Sequence, residues 1–153
     1  MGDITAEQVK KLRDETSAPV MEIRRALQES SGNPEQAKEI LKERGIEKAA
    51  KRSEREAAQG LIETYVHADG KIGSLVHLAC ETDFVARTAE FKSLAKELAM
   101  QVAAMNPTSV EELLDQEYIR DPSKKITNLV SSVSAKTGEN IQVRKFQRFA
   151  LGD

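Results

Sequence analysis

Along the first 45 residues the apolar positions recur every three or four places in short runs. Val9 and Leu12 come first, then Val20, Ile23 and Leu27, then Ala37, Ile40 and Leu41. That spacing predicts three short amphipathic helices. Thr5-Ala6-Glu7-Gln8 has the form of a capping box for the first, because Thr5 can accept from an orphan backbone donor while Gln8 reaches back. Thr16-Ser17-Ala18-Pro19 breaks that helix. Arg24 and Arg25 turn away from the second stripe, which Ser30-Ser31-Gly32 ends. Asn33-Pro34 offers the third helix an N-cap and then a proline where a missing N–H is harmless, and Gly45 is expected to stop it. Three helices with one-sided stripes bury them only against each other.

From Ile46 to Gln59 the pattern gives way to Lys, Arg, Glu and Ala, a run of high helix propensity with little to bury. It is expected to form a connector helix whose charges face solvent. At Gly60 the period changes to two. Leu61–His67 and Lys71–Cys80 read as strands, and Asp69-Gly70 between them is a hairpin signal. Ile72, Ser74, Val76, Leu78 and Cys80 share one face of the second strand. Helical spacing returns at Phe91, Leu94, Leu98, Val102 and Met105, and Asn106-Pro107 ends it. A short helix is expected at Val110–Leu114. Another is expected to open at Pro122, run through Ile126, Leu129, Val130 and Val133, and close at Gly138. Asn140–Phe149 alternates as a half-buried strand does. The fold class is therefore α+β: a three-helix module (1–45), a connector helix (46–59), and a small antiparallel sheet packed with helices (60–153).

Composition narrows the function. Hydrophobic residues make up 39% of the 153, enough for a core, while an aromatic share of 4% makes that core aliphatic. Lys and Arg (23) nearly balance Asp and Glu (25), so no broad positive face is available to phosphates and direct nucleic-acid binding is not expected. No apolar run approaches the roughly 20 residues that span a bilayer. The start, Met1-Gly2-Asp3-Ile4-Thr5, lacks a basic stretch followed by an apolar one. One cysteine, Cys80, fits a reducing compartment. A cytoplasmic location is expected.

Catalytic chemistry is sparse. Cys80 with His67 or His77 is the sole nucleophile–base combination, and Cys80 shares a face with apolar residues, as a buried structural cysteine does. Two histidines and one cysteine without close ligand spacing make a poor metal site. Gly70 and Gly73 belong to the turn and strand, and no phosphate-cradling Gly-rich loop occurs. Neither a cofactor nor a metal is expected. The function is expected to lie in a surface offered to a partner.

Three segments carry a family resemblance. Cys80-Glu81-Thr82-Asp83-Phe84-Val85-Ala86-Arg87 closely resembles the Thr-Asp-Phe-Val-Ala-Arg signature of elongation factor Ts. Val9–Ala18, running on into Arg24-Arg25-Ala26-Leu27, resembles that family's ubiquitin-associated-type three-helix module. Gly138–Phe146 is similar to its closing strand. Together they cover about residues 5 to 151. The chain departs from longer members in having one copy of the α+β subdomain and no coiled-coil insertion. It also has Thr88 where Asn is usual, and Gln101 where many members have a partner-contacting His.

The resemblance implies a non-enzymatic guanine nucleotide exchange factor for elongation factor Tu, and for a short member a homodimer. It implies that Phe84 is a wedge between helices of the partner's nucleotide domain, and that Thr82 and Asp83 shape and extend that contact. It implies that Arg13, Val20 and Met21 dock the three-helix module on the GTPase domain, with Ile72, Gly73 and Gln101 as further contacts. Taken without it, Phe84 packs in its own core and Asp83 starts a helix. Val20 is then core, Arg13 is solvated, and Gly73 relieves a bulge or turn. Three rivals stand beside the exchange reading: a ubiquitin-type adaptor, a hydrolase or isomerase using Cys80, and an RNA-binding module.

Overall fold

The computed structural model describes residues 3–153; Met1 and Gly2, on which the expectation for the N-terminus partly rests, lie outside the described residues. Two compact units divide the chain, Met1–Ser53 and Glu54–Asp153. The mixed helix and antiparallel sheet expected from the sequence is the fold observed.

The first unit contains α1 (Ala6–Thr16), α2 (Val20–Glu29) and α3 (Pro34–Ser53). The capping box forms as expected: the Thr5 hydroxyl accepts from the Gln8 N–H at 3.2 Å, and the Gln8 side chain accepts from the Thr5 N–H at 3.0 Å. Ser17 ends α1 in the left-handed region, and its N–H donates to the Arg13 carbonyl. Asn33 caps α3, its side-chain oxygen accepting from the N–H groups of Glu35 and Gln36. Val9, Leu12, Ile23, Ala26, Leu27, Ala37 and Leu41 form one buried cluster, with Ile4, Ala18, Val20 and Ile40 packed on its rim.

Gly45 does not stop the third helix. The backbone continues without a break to Ser53, so the first part of the expected connector is the far half of α3, and helix has ended before Gln59 enters a strand. Two ion pairs hold α3 to α2. Arg44 grips both carboxylate oxygens of Glu29 at 2.7 Å, and Lys48, beyond the glycine, pairs with Glu22. Ala, Glu and Lys after Gly45 outweigh the propensity cost of one glycine, about 1 kcal/mol.

The second unit is built on β1 (Gln59–Val66), β2 (Ile72–Cys80) and β5 (Gln142–Ala150), antiparallel in the order β1-β2-β5. The Asp69-Gly70 hairpin forms, with Gly70 at positive φ and its N–H on the His67 carbonyl at 2.7 Å. Gly60 is required sterically: a Cβ there would lie 2.1 Å from the Leu78 carbonyl oxygen. One sheet face is covered by α5 (Ala89–Met105), α6 (Val110–Asp115) and α7 (Ile126–Thr137). Val76, Leu78 and Cys80 meet Phe91, Leu94, Leu98 and Val102 there, with Leu113, Ile126 and Val143 closing the core. The Ser74 hydroxyl, on the same face, donates to the Ala99 carbonyl.

A second hairpin was not expected. Pro122 opens no helix: it lies in β4 (Asp121–Lys125), which pairs with β3 (Glu117–Tyr118), and α7 begins only at Ile126. Proline is tolerated on such an edge because it has no N–H to leave unpaired. The turn, Ile119-Arg120, contains no glycine or asparagine to announce it. No helix among the described residues is long and apolar enough to cross a membrane.

Candidate functional site

Directly after β2 the chain makes a four-residue helix, α4 (Asp83–Ala86). Thr82 is its N-cap, the hydroxyl accepting from the Val85 N–H at 3.2 Å. Thr88 plays the same part for α5, accepting from the Phe91 N–H and donating to the Val85 carbonyl at 2.8 Å. Threonine at position 88 therefore does the capping work an asparagine would do.

Between the two caps, Val85 and Ala86 point inward and join the core. Phe84 points the other way and is 81% exposed. Its ring is thus not part of the chain's own core. Asp83 does not serve as the cap; it forms an i,i+4 ion pair with Arg87. Asp83, Phe84, Arg87 and Thr88 line an open hollow on the surface beside the ring.

The other residues singled out in the sequence are distributed. In the first unit, Arg13 and Met21 are exposed, Met21 at 61%, while Val20 is half-buried against the three-helix core. In the second, Ile72 and Gly73 begin β2 next to the hairpin. Ile72 is half-buried, and a Cβ at Gly73 would make only ordinary contacts, 3.5 Å from the Tyr65 carbonyl oxygen and 3.6 Å from a Val66 methyl. The sheet irregularity falls at His77/Leu78, so Gly73 relieves no bulge.

Gln101 is placed differently from a surface contact. It is fully buried, its amide donating to the Gln116 side chain (3.2 Å) and the Glu117 carbonyl (3.0 Å) and accepting from the Ile119 N–H (3.1 Å). It ties α5 to the β3–β4 hairpin. Tyr118 and Arg120 reinforce that tie through Glu97 on α5, at 2.5 and 3.2 Å.

Cys80 is buried on the helix-covered face, whereas His77 lies on the opposite face of the same strand, paired between Ile62 and Lys145. His67 follows β1, 3.1 Å from the Tyr65 hydroxyl. Neither histidine is thus placed beside the thiol. Burial pushes the Cys80 thiol above its usual range, and the charge of Glu139 adds to the shift. Among the described residues no group of three or more His, Cys, Asp or Glu is placed to hold a metal.

The uncovered sheet face presents Ile62, Thr64 and Val66 of β1 beside Gly73, Leu75 and His77 of β2 and Lys145, Gln147 and Phe149 of β5. Ile62, Val66, Leu75 and Phe149 are exposed there. The sequence pattern places Phe146 and Phe149 in one alternating strand. An irregularity between His77 and Leu78 skips Arg144 and sends Phe146 to the core and Phe149 outward. Glu81 and Glu139 belong in the sequence merely to flanking motifs, yet each places its carboxylate on the backbone of the other's segment.

The signature turn lies within a stretch that matches known proteins. The family profile described as Elongation factor TS matches residues 81–153. The chloroplastic elongation factor Ts of Guillardia theta is 42% identical, covering 99% of this chain and 90% of the relative. Elongation factor Ts of Coprothermobacter proteolyticus is 40% identical over 99% of this chain and all of its own length. That of Clostridium kluyveri is 45% identical over 97% of this chain, which spans about half, 48%, of that longer relative. The Guillardia alignment runs over 197 positions against 153 residues, so that relative carries residues without a counterpart here. The class is that of the translation elongation factors. Within it, the chain belongs to the elongation factor Ts family, as a short form.

Proposed function

We propose that this chain promotes release of GDP from elongation factor Tu and does so without chemistry of its own. The observation that carries the reading is Phe84, a large apolar ring held 81% exposed on a turn capped at both ends. A GTPase holds its nucleotide through phosphate-loop amides and a Mg²⁺ on the phosphates. A protein that binds best to the Mg²⁺-poor, open state lowers nucleotide affinity, and by reciprocity nucleotide weakens that protein's hold. Burying one phenylalanine ring contributes roughly 1.5–3 kcal/mol, which biases a two-state element by one to two decades. Phe84 inserted between two helices of the nucleotide domain supplies that bias beside the Mg²⁺-phosphate site, and Asp83 and Arg87 make polar contact around it.

The three-helix unit docks on the GTPase domain through Arg13 and Met21, with Val20 shared between its own core and the contact. Ile72 and Gly73 offer a second contact, where the absence of a Cβ lets a partner approach the strand. Gln101 contributes by fixing the hairpin rather than by touching the partner. The partner is bound both in its GDP form and without nucleotide, in the cytoplasm, and neither nucleic acid nor membrane takes part. The exposed apolar residues of the outer sheet face support a homodimer, in which two copies cover that face for each other. Substoichiometric addition of the protein to elongation factor Tu loaded with fluorescent GDP tests the proposal. Many turnovers of release per molecule are expected, and release at the spontaneous rate would reject it.

A further inference from the structure

A four-residue helix has no stability of its own, so a turn that holds Phe84 out in solvent needs an external anchor. Glu139, one residue past the glycine that ends α7, supplies it. One carboxylate oxygen accepts from the N–H of Glu81 at 3.1 Å and of Thr82 at 3.0 Å, and the other accepts from the Thr82 hydroxyl at 2.7 Å. The bracket is reciprocal: Glu81 accepts from the Asn140 N–H at 2.6 Å and faces the Arg55 guanidinium at 3.4 Å. Asn140 is itself buried and donates its side-chain amide to the Arg55 carbonyl at 2.7 Å. The base of the bracket is fixed as well, since the Ser134 hydroxyl of α7 donates to the Glu139 carbonyl at 2.6 Å.

The consequence lies in the Thr82 hydroxyl. That group is the N-cap acceptor for Val85, and its single hydrogen is committed to Glu139. Glu139 therefore orients the cap, the cap orients the first turn of α4, and that turn aims Phe84. Without the carboxylate the hydroxyl rotates freely and two backbone N–H groups lose their acceptor. The turn must then be ordered by the partner at the moment of binding, which subtracts from what binding accomplishes.

We propose that Glu139 is a positioning residue for nucleotide exchange, acting through Thr82 on Phe84. This rests on the reading of Phe84 as the inserted ring. The test measures fluorescent GDP release from elongation factor Tu with the full chain and its Glu139→Ala, Glu139→Gln, Phe84→Ala and doubly substituted Glu139→Ala/Phe84→Ala variants. Glu139→Ala is expected to slow maximal exchange about tenfold, the scale of one charge-assisted hydrogen bond. Glu139→Gln is expected to recover only part of it, because the amide oxygen still serves both backbone donors while its N–H₂ cannot accept from the Thr82 hydroxyl. In the double variant the loss at 139 is expected to vanish, since its effect passes through the missing ring.

Wild-type exchange by Glu139→Ala beside impaired Phe84→Ala would overturn the positioning role and leave the inserted ring standing. Equal and additive losses in the double variant would also overturn it, as would full recovery by Gln, which would leave the Thr82 hydroxyl without a part. Wild-type exchange by Phe84→Ala would remove the reading on which the inference rests. If Glu139→Ala does not fold, Thr82→Val is read instead: slowed exchange supports the relay, and an unchanged rate refutes it.

Discussion

Phe84 and Val85 are neighbours in sequence and opposites in environment, 81% exposed and 5% exposed respectively. The caps at Thr82 and Thr88 produce the difference by fixing which side of the α4 turn faces the core. Stability and exchange therefore divide between the two side chains. Val85→Ala is expected to destabilise the fold by about 2 kcal/mol, from lost burial and the cavity left behind. Phe84→Ala is expected to change stability by no more than about 0.5 kcal/mol. Urea unfolding of both variants checks this; a large loss for Phe84→Ala would mean the ring packs in the fold after all.

Gly45 occupies the middle of α3, where a Cβ would meet nothing within 4 Å. Gly45→Ala is accordingly expected to stabilise the protein by about 0.5–1 kcal/mol, through a better helix and a less free unfolded chain. Thermal unfolding followed by circular dichroism reads the sign directly, and destabilisation would show that the helix is interrupted there.

Much of the fold was legible because local signals agreed with one another. The Thr5–Gln8 box, the Ile23/Leu27 stripe, the Asp69-Gly70 turn and the Phe91–Val102 stripe each join a period to a start or stop. The misses share a cause: their determinants lie in tertiary contacts. Gly45 has the look of a stop, but Lys48 beyond it pairs with Glu22 on another helix. The β3–β4 hairpin has no turn residue to mark it and is held from outside by Gln101 and Glu97. For the same reason Gln101, an ordinary polar residue in the sequence, is buried. The outward direction of Phe84 was not readable from spacing; it enters only through the family resemblance, and the fold holds the ring exposed.

The outer sheet face leads to a prediction about assembly. Phe149, 66% exposed, is paired with Gly73 and lies among Val66 and Leu75. Phe149→Glu places a charge in any interface formed there and is expected to yield a monomer without loss of secondary structure. Sedimentation velocity across a concentration series decides the matter: a wild-type dimer and a variant monomer are expected, and a wild-type monomer would reject the homodimer.

Tyr118 gives the fold a predictable alkaline limit. Burial first, then the hydrogen bond to Glu97 and that group's charge, push its hydroxyl up to about 12. The folded value exceeds the ordinary value of 10.0, so the stabilisation is complete below pH 10 and is lost as pH rises toward 12. Absorbance titration of the phenolates is expected to show a late component that Tyr118→Phe removes. Stability of that variant is expected to fall less steeply over the same interval.

The central claim is that an exposed ring, not a reactive group, carries the function. The most direct test compares fluorescent GDP release from elongation factor Tu driven by the wild-type chain and by folded Phe84→Ala, with Cys80→Ser alongside. The account predicts that Phe84→Ala slows release by roughly tenfold to a hundredfold, matching the burial of one aromatic side chain, while Cys80→Ser exchanges at the wild-type rate. Release undiminished by Phe84→Ala, or abolished by Cys80→Ser in a folded protein, would contradict it.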